Sequence, residues 1–185
     1  MRGMPQKTKN RGMLKTRPSR FMKVEPCRRP VLLTKECSLT PSGFDGRREL
    51  DAACHCGTVR FRLVLTDGLR SARRCNCSYC SMRGAVAVSV NLDDLNIVQG
   101  ADKLTLYQFN TGQAKHYFCS VCGIHTFHSR RSVPSQYGVN VACVAGMSPF
   151  DFDEVPVMEG RSHPKDRNGG ALIAGWLNYR PNTGG

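Results

Sequence analysis

The sequence lacks the long apolar segments that mark membrane-spanning and secreted proteins. No run of apolar residues approaches the roughly 18 that a membrane-spanning helix needs. The first residues are basic and polar, without the apolar core of a secretory signal peptide. We therefore expect a cytoplasmic protein that has no contact with a membrane. Its 185 residues are enough for one domain with a hydrophobic core.

Acidic residues are also scarce, and the shortage is uneven along the chain. There are 14 acidic residues against 27 lysines and arginines, and residues 1–50 hold 13 of the basic residues with only 4 acidic ones. In residues 1–48, basic side chains alternate with Pro, Gly, Ser and Thr, which leaves little to bury. We interpret this segment as a basic, disordered leader. It has no interleaved aromatic residues, so we favour a solvated tail over a nucleic-acid-binding arm.

Helical periodicity is almost absent from residues 49–180, where apolar residues alternate instead. Val59, Phe61 and Leu63 alternate with Arg60 and Arg62, which indicates a half-buried strand. Short apolar stretches separated by turn residues recur along the domain. The sequence predicts strands at residues 58–65, 85–92, 104–109, 115–118, 137–144 and 172–179, with one helical turn within residues 148–154. The sequence thus predicts a single all-β domain over residues 49–180.

Cysteine is abundant, with ten in the chain. Seven of them lie in three short groups, whereas disulfide frameworks spread their cysteines to close long loops. Without a signal peptide, an oxidising compartment is also not expected. Two further cysteines, Cys27 and Cys37, lie in the leader, where each is either an unpartnered thiol or an additional zinc ligand. The clustering predicts metal binding, and zinc is the metal that prefers such ligands.

Two of the cysteine groups form pairs that together supply four thiolates. Cys54 and Cys56 precede the first predicted strand, and on extended backbone their side chains point to the same side. Cys119 and Cys122 form a C-x2-C-G turn, where Gly123 can adopt a positive φ. Four thiolates make a closed, structural zinc site. The alternative is a set of core or redox cysteines.

The third group, Cys75, Cys77 and Cys80, offers three thiolates on one tight loop. Three protein ligands with one exchangeable position are typical of catalytic zinc, so we predict that these cysteines hold a second, open zinc. A fourth protein ligand would make the site structural instead; the candidates are His116, His125, His128 and Cys143. Six basic residues flank the group: Arg73, Arg74, Arg83, Lys115, Arg130 and Arg131. They are candidates to bind an anionic thiol. The alternative is that they form an ordinary solvated face.

These cysteine motifs resemble those of the glutathione-dependent formaldehyde-activating enzyme family, also called the centromere protein V type. The resemblance covers about residues 53–144 and rests on Cys54-His55-Cys56-Gly57, Cys75-Asn76-Cys77-Ser78-Tyr79-Cys80, Tyr117-Phe118-Cys119-Ser120-Val121-Cys122-Gly123-Ile124-His125 and Asn140-Val141-Ala142-Cys143. It implies an Mss4-like fold of coiled β-sheets organised around two zinc sites. It also implies structural zinc at the four paired cysteines and a second zinc, in a glutathione-accessible catalytic site, at Cys75, Cys77 and Cys80.

The activity that this resemblance implies is that of a carbon–sulfur lyase. In the synthetic direction, such an enzyme adds glutathione to formaldehyde and forms S-hydroxymethylglutathione. Two alternatives remain open at this stage. The same site can serve another aldehyde or another small thiol. Otherwise the domain is a non-catalytic zinc-binding module, and its basic leader binds nucleic acid or another anionic partner.

Overall fold

A computed structural model describes residues 48–182. These residues form eleven strands and one α-helix, α1 (Ser78–Arg83), so the domain is all-β as predicted. Four short 3-10 turns join the strands: Leu92–Asp94, Ala101–Lys103, Val141–Cys143 and Pro164–Asp166. The predicted leader lies outside the described residues, apart from Arg48. Within the described part of the chain, no helix is long and apolar enough to cross a membrane.

The first sheet has three antiparallel strands in the order β1–β2–β5. Their bounds are β1 Leu50–Ala53, β2 Arg60–Leu63 and β5 Leu95–Gln99. Phe61 on the central strand pairs with Ala52 on one side and with Ile97 on the other. Only β2 was predicted from the sequence, because its strict alternation of apolar and basic residues is the clearest in the chain.

The second sheet has five antiparallel strands in the order β4–β9–β8–β7–β6. Their bounds are β4 Ala87–Asn91, β6 Leu104–Tyr107, β7 Lys115–Cys119, β8 His125–Ser129 and β9 Gln136–Asn140. The strand predicted over residues 137–144 ends at Asn140, whose side chain accepts a hydrogen bond from the N–H of Ala142 and starts a 3-10 turn. Strand β4 is buried on both faces, because Ser89 is covered as well as Val88 and Val90.

The third sheet joins distant parts of the chain in the order β3–β10–β11. Its strands are β3 Arg74–Cys75, β10 Glu154–Met158 and β11 Ile173–Asn178. The first pair is parallel, and Met158 lies opposite Cys75. This pairing brings the segment after β10 beside the second cysteine group.

The core lies between the first two sheets. Val59, Phe61, Leu63 and Leu65 are buried, as their alternation predicts, while Arg60 and Arg62 are exposed. The ring of Phe61 packs edge-on against that of Phe127 on β8, with ring centres 5.4 Å apart. The alternating face of β2 therefore carries the contact between the two sheets.

Two local predictions were wrong. Cys54 and Cys56 lie in a turn and not on extended backbone, because the N–H of Gly57 donates to the carbonyl of Cys54 at 2.9 Å. The helical turn predicted within residues 148–154 is an irregular turn. There the N–H of Ser148 donates to the Asp151 carboxylate at 2.6 Å, and that of Phe150 to the Ser148 hydroxyl at 3.2 Å. These bonds resemble those at a helix start, but the backbone makes a single turn, closed by the N–H of Asp151 donating to the carbonyl of Ser148 at 3.1 Å, and does not continue as a helix.

Candidate functional site

The structure brings Cys54, Cys56, Cys119 and Cys122 together. All four Sγ atoms lie within 4.8 Å of one another. The Sγ atoms of Cys54 and Cys56 are 3.5 Å apart, and those of Cys56 and Cys119 are 3.8 Å apart. In a zinc–sulfur tetrahedron with bonds of about 2.3 Å, each edge measures about 3.8 Å. The four sulfurs therefore fit a tetrahedral divalent ion.

Both pairs in this group are held by a tight turn that ends in a glycine, closed over three residues at Gly57 and over four at Gly123. The N–H of Gly123 donates to the carbonyl of Cys119 at 2.8 Å, as that of Gly57 does to Cys54. The two glycines have φ angles of 72° and 74°, a conformation that only glycine adopts at little cost. Backbone N–H groups also point at sulfur: Val59 donates to Cys54 Sγ at 3.3 Å. The turns thus fix the positions of the sulfurs, and nearby N–H groups stabilise their thiolate form.

The thiols in this group differ in acidity. Burial raises the pKa of Cys54 to about 11. Hydrogen bonds with the side chain and backbone of Thr58 lower the pKa of Cys56, which is exposed, to about 6. A bound divalent ion would favour the thiolate form of both, because metal binding to cysteine displaces the thiol proton.

The structure also brings Cys75, Cys77 and Cys80 together, with all three Sγ atoms within 4.8 Å. Cys75 ends β3, Cys77 is the N-cap of α1, and Cys80 lies inside the helix. The Sγ of Cys77 accepts the N–H of Cys80 at 3.4 Å, which is the role that serine or asparagine usually plays at an N-cap. The sequence predicted a tight loop for this group. The structure instead places it at the start of helix α1.

The three thiols have different pKa values because their sulfurs form hydrogen bonds with one another. Hydrogen bonds from Cys75 and Cys80 lower the pKa of Cys77, whereas hydrogen bonds to Cys75 and Cys77 raise the pKa of Cys80. Arg83 Nη2 lies 3.6 Å from Cys80 Sγ and adds a positive charge beside the group. Without a metal one sulfur is favoured as thiolate, while a dication would allow all three to ionise. The eight cysteines of the described residues carry no disulfide.

The three histidines that the sequence offered as a fourth ligand lie close together, and two of them contact Arg83. Its Nη1 lies 2.8 Å from Nε2 of His125 and 3.3 Å from Nδ1 of His116. The rings of His116 and His128 stack with their centres 5.1 Å apart. Burial, followed by the charge of Arg83, lowers the pKa of His116 to about 4 and that of His125 to about 2. Two neutral imidazoles thus accept hydrogen bonds from one guanidinium.

Cys143, the remaining candidate, is turned towards the first cysteine group. It is buried, and its Sγ donates to the carbonyl of His125 at 3.6 Å. Burial, with smaller effects from Cys54 and Cys122, raises its pKa to about 12. Cys143 is therefore a protonated core thiol beside the four-cysteine group.

A cavity of about 600 Å³ opens beside Cys75, Cys77 and Cys80. Its size is typical of a small-molecule site. Five of the six basic residues that the sequence singled out line it, namely Arg73, Arg74, Arg83, Arg130 and Arg131, whereas Lys115 does not. The sequence missed three residues of the cavity wall formed by the segment after β10, namely Arg161, His163 and Lys165. The sequence indicated only a loop here, from Pro156, Pro164 and the polar run at residues 165–170, and no signal pointed to Arg161 or His163.

Asn76 connects this wall to the cysteine group by hydrogen bonds. The Asn76 Nδ2 donates to Oε2 of Glu159 at 3.0 Å. Its Oδ1 accepts the N–H groups of Gly160 at 2.7 Å and of Arg161 at 3.3 Å. Asn76 lies between Cys75 and Cys77. The backbone of these three residues therefore positions both the wall and two of the sulfurs.

Comparison with known proteins agrees with this geometry. The model of the family described as glutathione-dependent formaldehyde-activating enzyme matches residues 49–155. The chain belongs to this family. A protein of Halomonas elongata, named provisionally as a glutathione-dependent formaldehyde-activating enzyme, is 36% identical over 81 residues, which are 40% of this chain and 51% of that protein. The chain thus spans about half the length of this curated relative.

A solved structure extends the comparison to the fold. The crystal structure of a Rhodobacter sphaeroides protein is 53% identical in sequence and superposes with a TM-score of 0.58. The match covers 58% of this chain and 99% of the other. The family match includes all seven clustered cysteines but ends at Val155, within β10. The wall at Arg161, His163 and Lys165 therefore lies beyond the residues that the family model matches.

Proposed function

We propose that this protein is a zinc-dependent carbon–sulfur lyase that joins glutathione and formaldehyde to form S-hydroxymethylglutathione. The observation that carries the proposal is the contrast between its two cysteine groups. Four sulfurs lie within 4.8 Å of one another, as many as a tetrahedral ion needs, whereas the three-sulfur group lies at a cavity of about 600 Å³. Family membership and the name of the Halomonas elongata relative support the reaction.

In this proposal the protein holds two zinc ions. Cys54, Cys56, Cys119 and Cys122 hold a structural zinc, which ties the turn after β1 to the turn after β7. Cys75, Cys77 and Cys80 hold a second zinc and leave one position for a ligand from the cavity. When bound, that zinc supplies a Lewis acid that keeps an incoming thiol in its thiolate form.

The reaction itself is an addition that needs no oxidant. The glutathione sulfur forms a bond to the formaldehyde carbon, and the C=O double bond becomes a C–O single bond. The thiol gives up its proton, and the new alkoxide oxygen takes one up. Arg83 lies at the cavity wall beside Cys80, so its guanidinium is placed to donate hydrogen bonds to developing negative charge.

The experiment is exchange NMR on mixtures of glutathione and formaldehyde, which form the adduct slowly without a catalyst. The protein with both zinc sites loaded should raise the exchange rate above that of buffer with the same free zinc. The Cys77→Ser variant should not raise it, although serine keeps an N-cap acceptor for α1. Exchange at the buffer rate with the loaded protein would refute the formaldehyde reaction.

A further inference from the structure

The cavity beside the three-cysteine group is strongly basic. Seven arginine and lysine side chains line it, against two carboxylates. Both carboxylates are already occupied. Glu159 accepts hydrogen bonds from Asn76 and from the N–H groups of Arg161 and Ser162, and Asp166 is paired with Arg131. The remaining positive charge in the cavity is therefore available to a ligand.

Two of these cations lie on the wall that the sequence analysis missed. Within the part of the chain that the structure describes, the guanidinium of Arg161 and the ammonium of Lys165 have neither a hydrogen-bond partner nor an ion pair. Among the described residues, Arg161 forms hydrogen bonds through its backbone N–H, and Lys165 does so through its own N–H, which donates to Nδ1 of His163 at 3.2 Å. Both side chains are exposed at the cavity rim.

The wall carrying these cations is anchored at several points. Asn76 binds its start at Glu159, Gly160 and Arg161. The N–H of Glu159 donates to the carbonyl of Leu172 at 2.8 Å, which closes the segment into a loop. Arg131 from the body of the domain donates to both carboxylate oxygens of Asp166. The cations are thus held on a fixed wall, which lowers the entropy cost of binding a ligand there.

The wall also passes directly over the sulfurs. A Cβ atom added to Gly160 would lie 2.3 Å from the Sγ of Cys75 and 2.9 Å from the Cβ of Cys77. Arg161 is the next residue in the chain. A ligand whose sulfur reaches the three-cysteine group therefore has this basic wall as its neighbour.

We propose that Arg161 and Lys165 form a subsite for the carboxylates of the thiol substrate, so that residues beyond the family match determine substrate choice. This inference rests on the proposed function for the identity of the thiol as glutathione. Glutathione carries its thiol in the middle residue and a carboxylate at each end. With the sulfur at the cysteine group, an end of the tripeptide extends along the cavity. A guanidinium and an ammonium both favour carboxylates through charge-assisted hydrogen bonds.

The test uses S-methylglutathione, whose blocked sulfur keeps both carboxylates, and its diethyl ester, which lacks the carboxylate charges. Binding to the full-length, zinc-loaded protein is measured by isothermal titration calorimetry. We expect the diacid to bind more tightly than the diester. The Arg161→Gln/Lys165→Gln variant should lose about tenfold or more in affinity for the diacid, as expected for lost hydrogen bonds to charged groups. Its affinity for the diester should change little.

A matched control removes the same amount of charge elsewhere. Arg62 and Lys103 are exposed and do not line the cavity, so Arg62→Gln/Lys103→Gln should bind the diacid as the unmodified protein does. Both glutamine substitutions at the wall leave the backbone hydrogen bonds to Asn76 and His163 in place. A circular dichroism melting curve verifies that each variant is folded.

The outcomes separate this inference from the proposed function. Equal binding of diacid and diester, unchanged affinity in the wall variant, an equal loss in the control variant or no saturable binding of the diacid would each overturn the subsite. A protein that prefers the diacid through Arg161 and Lys165, yet does not accelerate formaldehyde exchange, would retain the subsite and refute the proposed reaction.

Discussion

The side-chain amide of Asn76 and the carboxylate of Glu159 are joined by a hydrogen bond of 3.0 Å between residues 83 positions apart. This contact continues the parallel pairing of β3 with β10, in which Cys75 lies opposite Met158. One asparagine therefore connects the cysteine group with the wall of its cavity. Because Asn76 lies between Cys75 and Cys77, a movement of the wall is expected to move the sulfurs as well.

The first prediction removes this connection. Asn76→Ala removes the acceptor of the Gly160 N–H and one of the donors to Glu159, which keeps its hydrogen bonds from the N–H groups of Arg161 and Ser162. We expect a loss of about 1 kcal/mol in the free energy of unfolding, as for the partly buried hydrogen bond to Gly160. Binding of S-methylglutathione should weaken as well, because the wall is no longer fixed. Chemical denaturation and calorimetry measure the two effects.

Asn96→Ala is the control for this change. Asn96 is exposed on β5 and does not line the cavity, so its replacement should leave both stability and binding unchanged within error. If Asn76→Ala were as stable and bound as tightly as Asn96→Ala, the connection through Asn76 would have no energetic role.

The second prediction concerns the close passage of Gly160 over the sulfurs. Gly160→Ala places a methyl group 2.3 Å from Cys75 Sγ, so the backbone or the cysteine must move. We expect the variant to stay folded but to lose about one of two zinc ions, because a displaced sulfur no longer completes the three-cysteine set. Zinc is measured by elemental analysis after dialysis.

Gly170→Ala is matched to it within the same wall, since an added Cβ at Gly170 meets nothing within 4 Å. This variant should hold the same zinc as the unmodified protein. If Gly160→Ala retained two zinc ions, the wall could move to accommodate the methyl group, and its contact with Cys75 would not constrain the sulfurs.

The structure brings together the cysteines that the sequence grouped, because the members of each short motif lie within a turn of a few residues. The spacing of Cys119 and Cys122, together with Gly123, is sufficient to specify a turn that presents two sulfurs. The alternation from Val59 to Leu65 likewise specified a strand face. These signals are local. The meeting of the pair at Cys54 and Cys56 with the pair at Cys119 and Cys122 spans 63 positions between Cys56 and Cys119, and it was predicted only because zinc needs four ligands.

The wall of the cavity could not be predicted in the same way. It depends on a parallel pairing of only two residues on β3 with β10, about eighty positions later, and such a short strand has no periodicity. Helix α1 was missed for a related reason. It has six residues, and its N-cap is the cysteine Cys77, which is not among the usual capping residues.

The third prediction separates the two cysteine groups. Cys122→Ser disrupts the set that ties the turn after β1 to the turn after β7. Metal binding to structural sites contributes about 10 kcal/mol or more, comparable to the whole stability of a domain. We therefore expect this variant to unfold or precipitate. Cys77→Ser should remain folded with one zinc, as measured by elemental analysis and circular dichroism.

The contrast between these two variants carries the prediction. If both lost all zinc and unfolded at the same temperature, the groups would not be independent. If Cys122→Ser were as stable as Cys77→Ser, the four-cysteine group would not be structural. Ser120→Ala, in the same turn as Cys122, is a control for local disturbance and should retain both zinc ions.

The fourth prediction concerns His116, whose pKa is lowered to about 4 by burial and by the charge of Arg83. In the unfolded chain the pKa of histidine is about 6.5. The neutral form is favoured in the folded protein, so His116 contributes full stability above pH 6.5. That contribution decreases as the pH falls from 6.5 towards 4. Between pH 7 and pH 5 the expected loss is about 2 kcal/mol.

Zinc ligands also respond to acid, so the effect must be measured as a difference between two proteins. His116→Gln removes the titrating group and leaves the cysteines unchanged. The free energy of unfolding of the unmodified protein should exceed that of His116→Gln most at pH 7. The excess should shrink by up to about 2 kcal/mol at pH 5, because only the unmodified protein must keep the imidazole of His116 neutral. An excess that stays constant over this range would show that His116 is not held neutral beside Arg83.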